Sequence, residues 1–373
     1  MASQTLGRAI PGTISIDPWR TEDAVLKLLA YAMMFWLTLS MSARARDAER
    51  LLGAVIASSA GYGLYGFVLT AIGTTQAAIL YTVSVPASYV SGPFMLHNSF
   101  ATFEGIGFLA CVVKGLDLAR ESVVISRGPT RFLETALQFV IGRGAFVLIA
   151  GLLTFSAVVA SASRAGSVAT GVAFLAILLM SYRLAARGQR SSWLPVLSLV
   201  GLFTVLIAIL LSGQTLGDRL AELAGGGETD SIRLALWDAS VRMISDFPWV
   251  GLGLGSFPDA YPLYARSVIP YVTDKAHSDY LELAAGLGLP AAIAFWLSVA
   301  WMCVLCIRGF LRRRRDHHFA LLGFGATVLV AVHATVDFSL QLPAVGLTYA
   351  LVLGLGVGQS ARSAENGSDG RRS

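Results

Sequence analysis

Nine runs of mostly apolar residues punctuate the chain, at 24–41, 51–70, 98–116, 139–160, 167–185, 192–212, 282–306, 319–337 and 340–358. A membrane-crossing helix needs roughly 20 such residues. The pattern therefore predicts an all-α polytopic membrane protein with about nine transmembrane helices. Run three is the weakest of them, because it contains Glu104 and Lys114. Between runs six and seven the chain stays out of hydrocarbon from 213 to 281, too long a stretch for a structureless connection. The expected plan is an N-terminal tail (1–23), an N-terminal bundle (24–212), one large loop (213–281), C-terminal spans (282–358) and a disordered cytoplasmic tail (359–373).

Inside the loop, "TDSIRLALWDASVRMI" predicts a helix. Thr229, Asp230 or Ser231 can cap its start, and Ile232, Leu236 and Trp237 recur at helical spacing. "FPWVGLGLGSFPDAYPLY" then breaks that helix with Pro248, alternating glycines, Pro258 and Pro262. On a helix entering run seven, Lys275, Asp279 and Glu282 share one face and His277 points elsewhere. Lys275 and Asp279 are expected to pair.

Composition agrees with the membrane reading. Of 373 residues, 55% are hydrophobic and 14% charged, against about 25% charged in a soluble domain. Mean hydropathy is +0.66. The net charge of +5 comes from clusters between runs and not from a basic stripe with interleaved aromatics, so nucleic acid is not an expected partner. Arg44, Arg46 and Arg50, then Arg120, Arg127 and Arg131, then Arg183, Arg187 and Arg190, then Arg308 and Arg312 to Arg315 fall on one side if the spans alternate. That side is read as cytoplasmic. The large loop and the N-terminus then lie on the outer side. Cys111, Cys303 and Cys306 sit in apolar runs and read as small apolar residues, not as ligands. The first twenty-odd residues lack the basic-then-apolar order of a cleavable signal.

Some polar residues run against this topology. Arg164, in "SASRAGS", occupies a tight outer connection, and Arg219, Arg233, Arg242 and Arg266 lie in the outer loop. Arginine suits bidentate phosphate recognition, although an outer arginine also pairs with loop acids or headgroups. For Arg219 and Arg266 that plainer role is preferred. His277 stands in the same outer segment, and histidine is the usual general base near neutral pH. His333 and Asp337, four apart at the outer end of run eight, are expected to stack on one helix face. Glu104, a turn or two inside run three, reads either as a functional group or as the partner of an outer arginine. "GLGLG" lacks dinucleotide-binding spacing, no phosphate-binding G-x-x-x-x-G-K-[ST] exists, and Ser161 and Ser163 lack a nucleophile-elbow setting.

One further pattern is more specific. Arg233, Trp237, Pro248, Gly251, Gly253, Gly255, Phe257, His277, Tyr280, Leu281, Gly286 and Gly288 together resemble the signature region of the O-antigen ligase and O-antigen polymerase family. "SASRAG" resembles that family's Ser-Arg-Gly segment through Arg164, with Ala165 in place of the glycine. Asn98, Phe100 and Ala101 resemble its Asn-x-Phe-Ala stretch, and "HATVDFSLQLPA" resembles the ending of the exopolysaccharide-polymerase branch.

The resemblance implies a GT-C-like helical membrane glycosyltransferase of the bacterial inner membrane, with its active site facing the periplasm. The donor would be a glycan on undecaprenyl diphosphate, and the acceptor the lipid A core, a growing polysaccharide or a protein. No metal, nucleotide sugar or other cofactor is implied. Arg164 and Arg233 would neutralise the leaving diphosphate, with Arg242 a lesser candidate, and His277 would be the general base. Trp237, Gly253, Gly255, Tyr280, His333, Asp337, Glu104 and Asn98 complete the expected substrate-binding set. Two alternatives remain at this level: a transporter or flippase for lipid-linked oligosaccharide, and a non-catalytic partner of polysaccharide export proteins.

Overall fold

The computed structural model describes residues 13–72, 89–125, 142–185, 228–266, 273–313 and 315–361. Run six, Arg219 and the basic stretch from Arg187 to Arg190 lie outside them. The described residues form helices α1 (Pro18–Met41), α2 (Ala45–Ile72), α3 (His97–Ile125), α4 (Arg143–Ala160) and α5 (Arg164–Ala185). Next come α6 (Glu228–Asp246), α7 (Phe257–Tyr264), α8 (Asp279–Leu287), α9 (Leu289–Arg312), α10 (His318–His333) and α11 (Pro343–Ala361), with a 3-10 turn at Ser339–Gln341. No strand occurs among the described residues. Six helices, α1, α2, α3, α5, α9 and α11, are long and apolar enough to cross a membrane, and α4 and α10 are shorter apolar helices.

Three local expectations are corrected. Run seven is not one helix: it divides at Gly288 into α8 and α9. Gly288 has φ +79, and a Cβ there would stand 2.5 Å from the Trp249 carbonyl carbon, so the chain turns where the 248–250 backbone presses against it. Residues 275–278 are not helical. Ser278 has extended backbone and caps α8, its hydroxyl accepting from the Leu281 N–H, so the shared helical face of Lys275, Asp279 and Glu282 does not exist. Run eight ends at His333, and Asp337 lies beyond the helix in the turn leading to α11. In addition, α6 begins at Glu228, ahead of the three expected capping residues.

Two compact units make up the chain: Met1–Leu29 with Gly225–Ser298, and Ala30–Ala224 with Val299–Ser373. The larger is a helical bundle around α3, α4, α5, α10 and α11. Its core runs through Ile106, Leu109, Ile177, Leu322, Leu329 and Val352. Lipid supplies no hydrophobic drive between helices, so close packing relies on small residues. Gly107 illustrates it, since a Cβ there would overlap Ser59 of α2 at 2.3 Å. The start of α3, the end of α4, the start of α5 and the end of α10 share one end of this bundle, joined by contacts from His97 to Ser161 and from Thr102 to His333. At the other end the starts of α2 and α10 meet the far part of α3 through Glu49, His318 and Asp117.

The smaller unit packs α6, α7 and α8 around Leu236, Ala239, Met243, Phe257 and Tyr261. Leu236, Ala239 and Met243 recur at the spacing of one helix face; of the expected Ile232, Leu236 and Trp237, Leu236 is in this core and Ile232 packs against it.

A histidine on a glycine collar

The proline–glycine turn after α6 is a collar that gathers chain ends. Its N–H groups at Leu252 and Gly253 donate to the carbonyls of Ala285 and Gly286, both at 2.9 Å. Those carbonyls belong to the last turn of α8, where no intrahelical donor remains, so the turn acts as its cap. The Leu289 N–H donates to the Pro248 carbonyl at 2.8 Å, and the Ile16 N–H to the Leu252 carbonyl at 2.9 Å. Thr21 adds a hydroxyl bond to the Leu254 carbonyl at 2.9 Å. The starts of α1 and α9 are thereby fastened to the same turn and lie on one side of any membrane that these helices cross.

The close approach permitted by Gly253 is to the chain itself. A Cβ there would meet Ser15 Oγ at 2.1 Å, and at Gly255 it would stand 3.0 Å from the Arg20 carbonyl oxygen. Ser15, Thr21, Arg20 and Ala24 thus pack directly against these two glycines. A small depression opens beside the turn, lined by Met243, Gly253, Gly255, Phe257 and Glu282 among others.

His277 stands half-buried ahead of α8 with φ +51, a left-handed backbone shared by only two other non-glycine residues among those described. The surroundings impose it. Glu282, in the first turn of α8 and buried, accepts from the Ala276 N–H at 2.8 Å and faces Lys275 Nζ at 3.4 Å. The indole N–H of Trp237 points at the His277 carbonyl at 3.4 Å. With Ala276 tied back to Glu282 and Ser278 committed to capping, the residue between them must reverse the chain. Such uncommon backbone clusters at functional sites.

Arg233 lies on α6, one turn before Trp237, and is half-buried. Arg242 is engaged within the protein, pairing with Asp238 and donating to the Tyr264 carbonyl at 2.6 Å. Arg266 also faces Asp238, at 3.7 Å, in keeping with its expected pairing role. The hydrogen bond from Arg242 holds the exposed Asp238 carboxyl below the usual range. The Tyr280 ring packs on Trp296 with centroids 4.4 Å apart, and burial, with the Asp279 charge second, pushes its phenol upward.

The larger unit brings together another part of the predicted set. Ser163 caps α5, its hydroxyl accepting from the Gly166 N–H at 3.1 Å and donating to Asn98 Oδ1 at 2.8 Å. This joins the "SASRAG" and "HNSFA" segments and presents Arg164, exposed, at the first position of α5. Asn98 also accepts, at its carbonyl, from Thr102, whose hydroxyl lies 2.8 Å from His333 Nδ1. Ser339 stands 3.2 Å from the same nitrogen and donates to Asp337 Oδ2 at 2.8 Å. His333 Nε2 is 3.8 Å from Asp337 Oδ2. His333, Asp337, Thr102 and Ser339 are all buried, so this network is internal to the bundle. Glu104 is fully buried on another face of α3, beside Gly63 and Ala157, with neither carboxylate oxygen hydrogen-bonded among the described residues. No arginine among the described residues pairs with it.

Sequence reasoning missed Ser163, Thr102 and Ser339 as positioning groups, and it gave Glu282 a place at the helix entry without its bond to the Ala276 N–H. Only "HSDYLE" held a usable signal, a serine cap with a glutamate four residues on. The cluster at the other end of the bundle was missed as well. There Lys114 Nζ lies 2.8 Å from Glu49 and 3.1 Å from Asp117, and His318 reaches both acids at 3.0 and 3.2 Å. Two carboxylates and an imidazole this close could hold a cation. Lys114 already stands between the two acids as one.

A chain whose described elements are all helical, six of them of membrane-crossing length and composition, belongs to the class of polytopic membrane proteins. Residues 149–296 match the family model described as O-Antigen ligase, and this match supports membership of the O-antigen ligase family. The matched stretch takes in Arg164, Arg233, Trp237, the collar, His277 and Tyr280. None of the curated proteins matches the chain.

Proposed function

We propose that this protein is a metal-independent membrane glycosyltransferase of the O-antigen ligase or polymerase type. It moves a glycan from undecaprenyl diphosphate to a sugar hydroxyl of the lipid A core or of a growing polysaccharide, at the periplasmic face of the inner membrane. The observation that carries the reading is His277, held in left-handed backbone by Glu282 and Trp237 inside the family-matched stretch.

In this reading the acceptor hydroxyl oxygen attacks the anomeric carbon as the bond to the diphosphate oxygen breaks. The bonding electron pair leaves with the diphosphate, and the hydroxyl proton passes to the His277 imidazole. Such a base contributes about 10²–10⁴-fold in rate. Arg233 supplies positive charge to the leaving diphosphate, a preorganised electrostatic role. Arg164 is assigned the same role on the sequence motif alone. The half-buried Asn98 and the buried His333 and Asp337 are read as a support for the loop that carries Arg164.

The experiment is glycan transfer from an undecaprenyl-diphosphate oligosaccharide in membranes, comparing the native chain with His277→Ala at equal expression. Loss of transfer with donor binding retained is the expected result. Undiminished transfer would remove His277 from the mechanism, and no transfer by the native chain across a panel of acceptors would remove the enzyme.

A further inference from the structure

Phe247, Trp249 and Val250 form an apolar knuckle after α6, with exposures of 44%, 76% and 53%. A large indole left that open needs a covering partner. Its position says which one. Pro248, inside the knuckle, accepts from the Leu289 N–H at 2.8 Å. Leu289 is the first residue of α9, a helix apolar enough to cross a membrane. The knuckle is therefore fixed at the level where a span begins. Its apolar surface continues into Leu289, Ile293 and Leu297, all exposed and four residues apart, which is the lipid-facing stripe of that span.

A separate segment reaches the same level. The Ile16 N–H bonds the Leu252 carbonyl, two residues ahead of the start of α1. Trp19, in the first turn of α1, is 79% exposed. Two open tryptophans thus mark the starts of two spans gathered on one collar. Tryptophan collects at the boundary of headgroups and acyl chains because one side of the indole is apolar and its N–H seeks polar partners.

We infer that the Phe247–Val250 knuckle, together with Trp19, is an interfacial anchor whose partner is the lipid surface itself. It sets the depth of the unit that carries Arg233 and His277. The inference rests on α1 and α9 being membrane spans and not on glycan transfer, so the two readings can fail separately.

The test uses nitroxide labels on the full chain, in vesicles of phosphatidylethanolamine and phosphatidylglycerol. Labels are placed by Trp249→Cys and, independently, by Val250→Cys, with Cys111, Cys303 and Cys306 replaced by alanine. Asp274→Cys, at an exposed polar position, is the water-facing reference. Collision with dissolved oxygen and with a water-soluble nickel chelate is measured by power saturation. The expected result is several-fold less nickel access at 249 and 250 than at 274, with oxygen access raised. Nickel access equal to that at 274 would place the knuckle in water and overturn the inference. Low access to both reagents would mean a protein covers it, which overturns it equally.

Discussion

The carboxylate of Glu282 accepts a hydrogen bond from the backbone N–H of Ala276 at 2.8 Å, and so holds the residue immediately before His277. Glu282 is itself buried, so the bond is made away from water, where a hydrogen bond to a charged group contributes about 1.5–3 kcal/mol. Glu282→Ala is expected to lower transfer by at least tenfold by releasing the 274–278 segment. Glu282→Gln, whose amide oxygen can still accept from Ala276, is expected to keep most of the activity. Initial rates at saturating donor, with donor binding measured in parallel, check this. Equal loss in both variants would mean that the charge facing Lys275, and not the bond to Ala276, is what matters.

The left-handed backbone at 277 inverts the usual order of small residues. With φ +51, a Cβ at this position meets the steric penalty of roughly 1–2 kcal/mol that only glycine escapes freely. His277→Gly is therefore expected to be more stable than His277→Ala by about 1 kcal/mol, the reverse of their order in a helix. Both should lack transfer. Thermal unfolding of the two variants in detergent reads the stability, and an Ala variant as stable as the Gly variant would contradict an imposed left-handed turn.

Ser163 serves two partners with one hydroxyl, the Gly166 N–H and the Asn98 side chain. Ser163→Ala removes an N-cap, a change that costs about 0.5–2 kcal/mol, and it also frees Asn98. The expected outcome is a lower Tm and weaker donor binding through a loosened Arg164. Ser163→Thr, which keeps the hydroxyl, should restore both. Donor titrations of the two variants are the measurement, and binding unchanged in Ser163→Ala would separate Arg164 from this cap.

The large features were legible because membrane spans are written in composition over about 20 residues. Runs two, three, five and nine all reappear as helices, with most ends within three residues, but with the start of run two six residues earlier and the end of run three nine residues later. What failed was local. The break at Gly288 is set by the distant backbone of Trp249, and no window around residue 288 contains that information. His277 was placed on a helix because its neighbours fit helical spacing, whereas the Ser278 cap moved the helix start past it. The glycines at 253 and 255 lie against the segment around Ser15 and Arg20, more than two hundred residues away, which no local window reveals. The buried set of Thr102, His333, Ser339 and Asp337 was half seen: the ionisable pair stood out in an apolar run, and the hydroxyls that join it to α3 did not.

Gly288 tests the collar directly. A methyl group there would stand 2.5 Å from backbone atoms of Trp249, at φ +79, and neither conflict is relieved by a side-chain rotation. Gly288→Ala is expected to cost at least the 1–3 kcal/mol of a disfavoured backbone. Gly53→Ala in α2, where nothing lies within 4 Å, should be neutral or slightly stabilising by helix propensity. The comparison is made by thermal unfolding in detergent. Similar midpoints for the two variants would show that the junction of α8 and α9 can open without consequence.

Lys114 is the cation between Glu49 and Asp117, with His318 touching both acids. Lys114→Met leaves two carboxylates facing one imidazole. Breaking a buried pair costs about 3–5 kcal/mol. Glu49 is still 37% exposed at its side chain, so water screens part of this, and the expected loss is about 2 kcal/mol or less. Adding Glu49→Gln to Lys114→Met removes one of the stranded charges and should recover part of that loss, the non-additivity expected within one network. Unfolding midpoints of the native chain, both single variants and the double variant close the cycle. A double variant no more stable than Lys114→Met alone would show that Lys114 supports this end of the bundle by packing and not by balancing its charge.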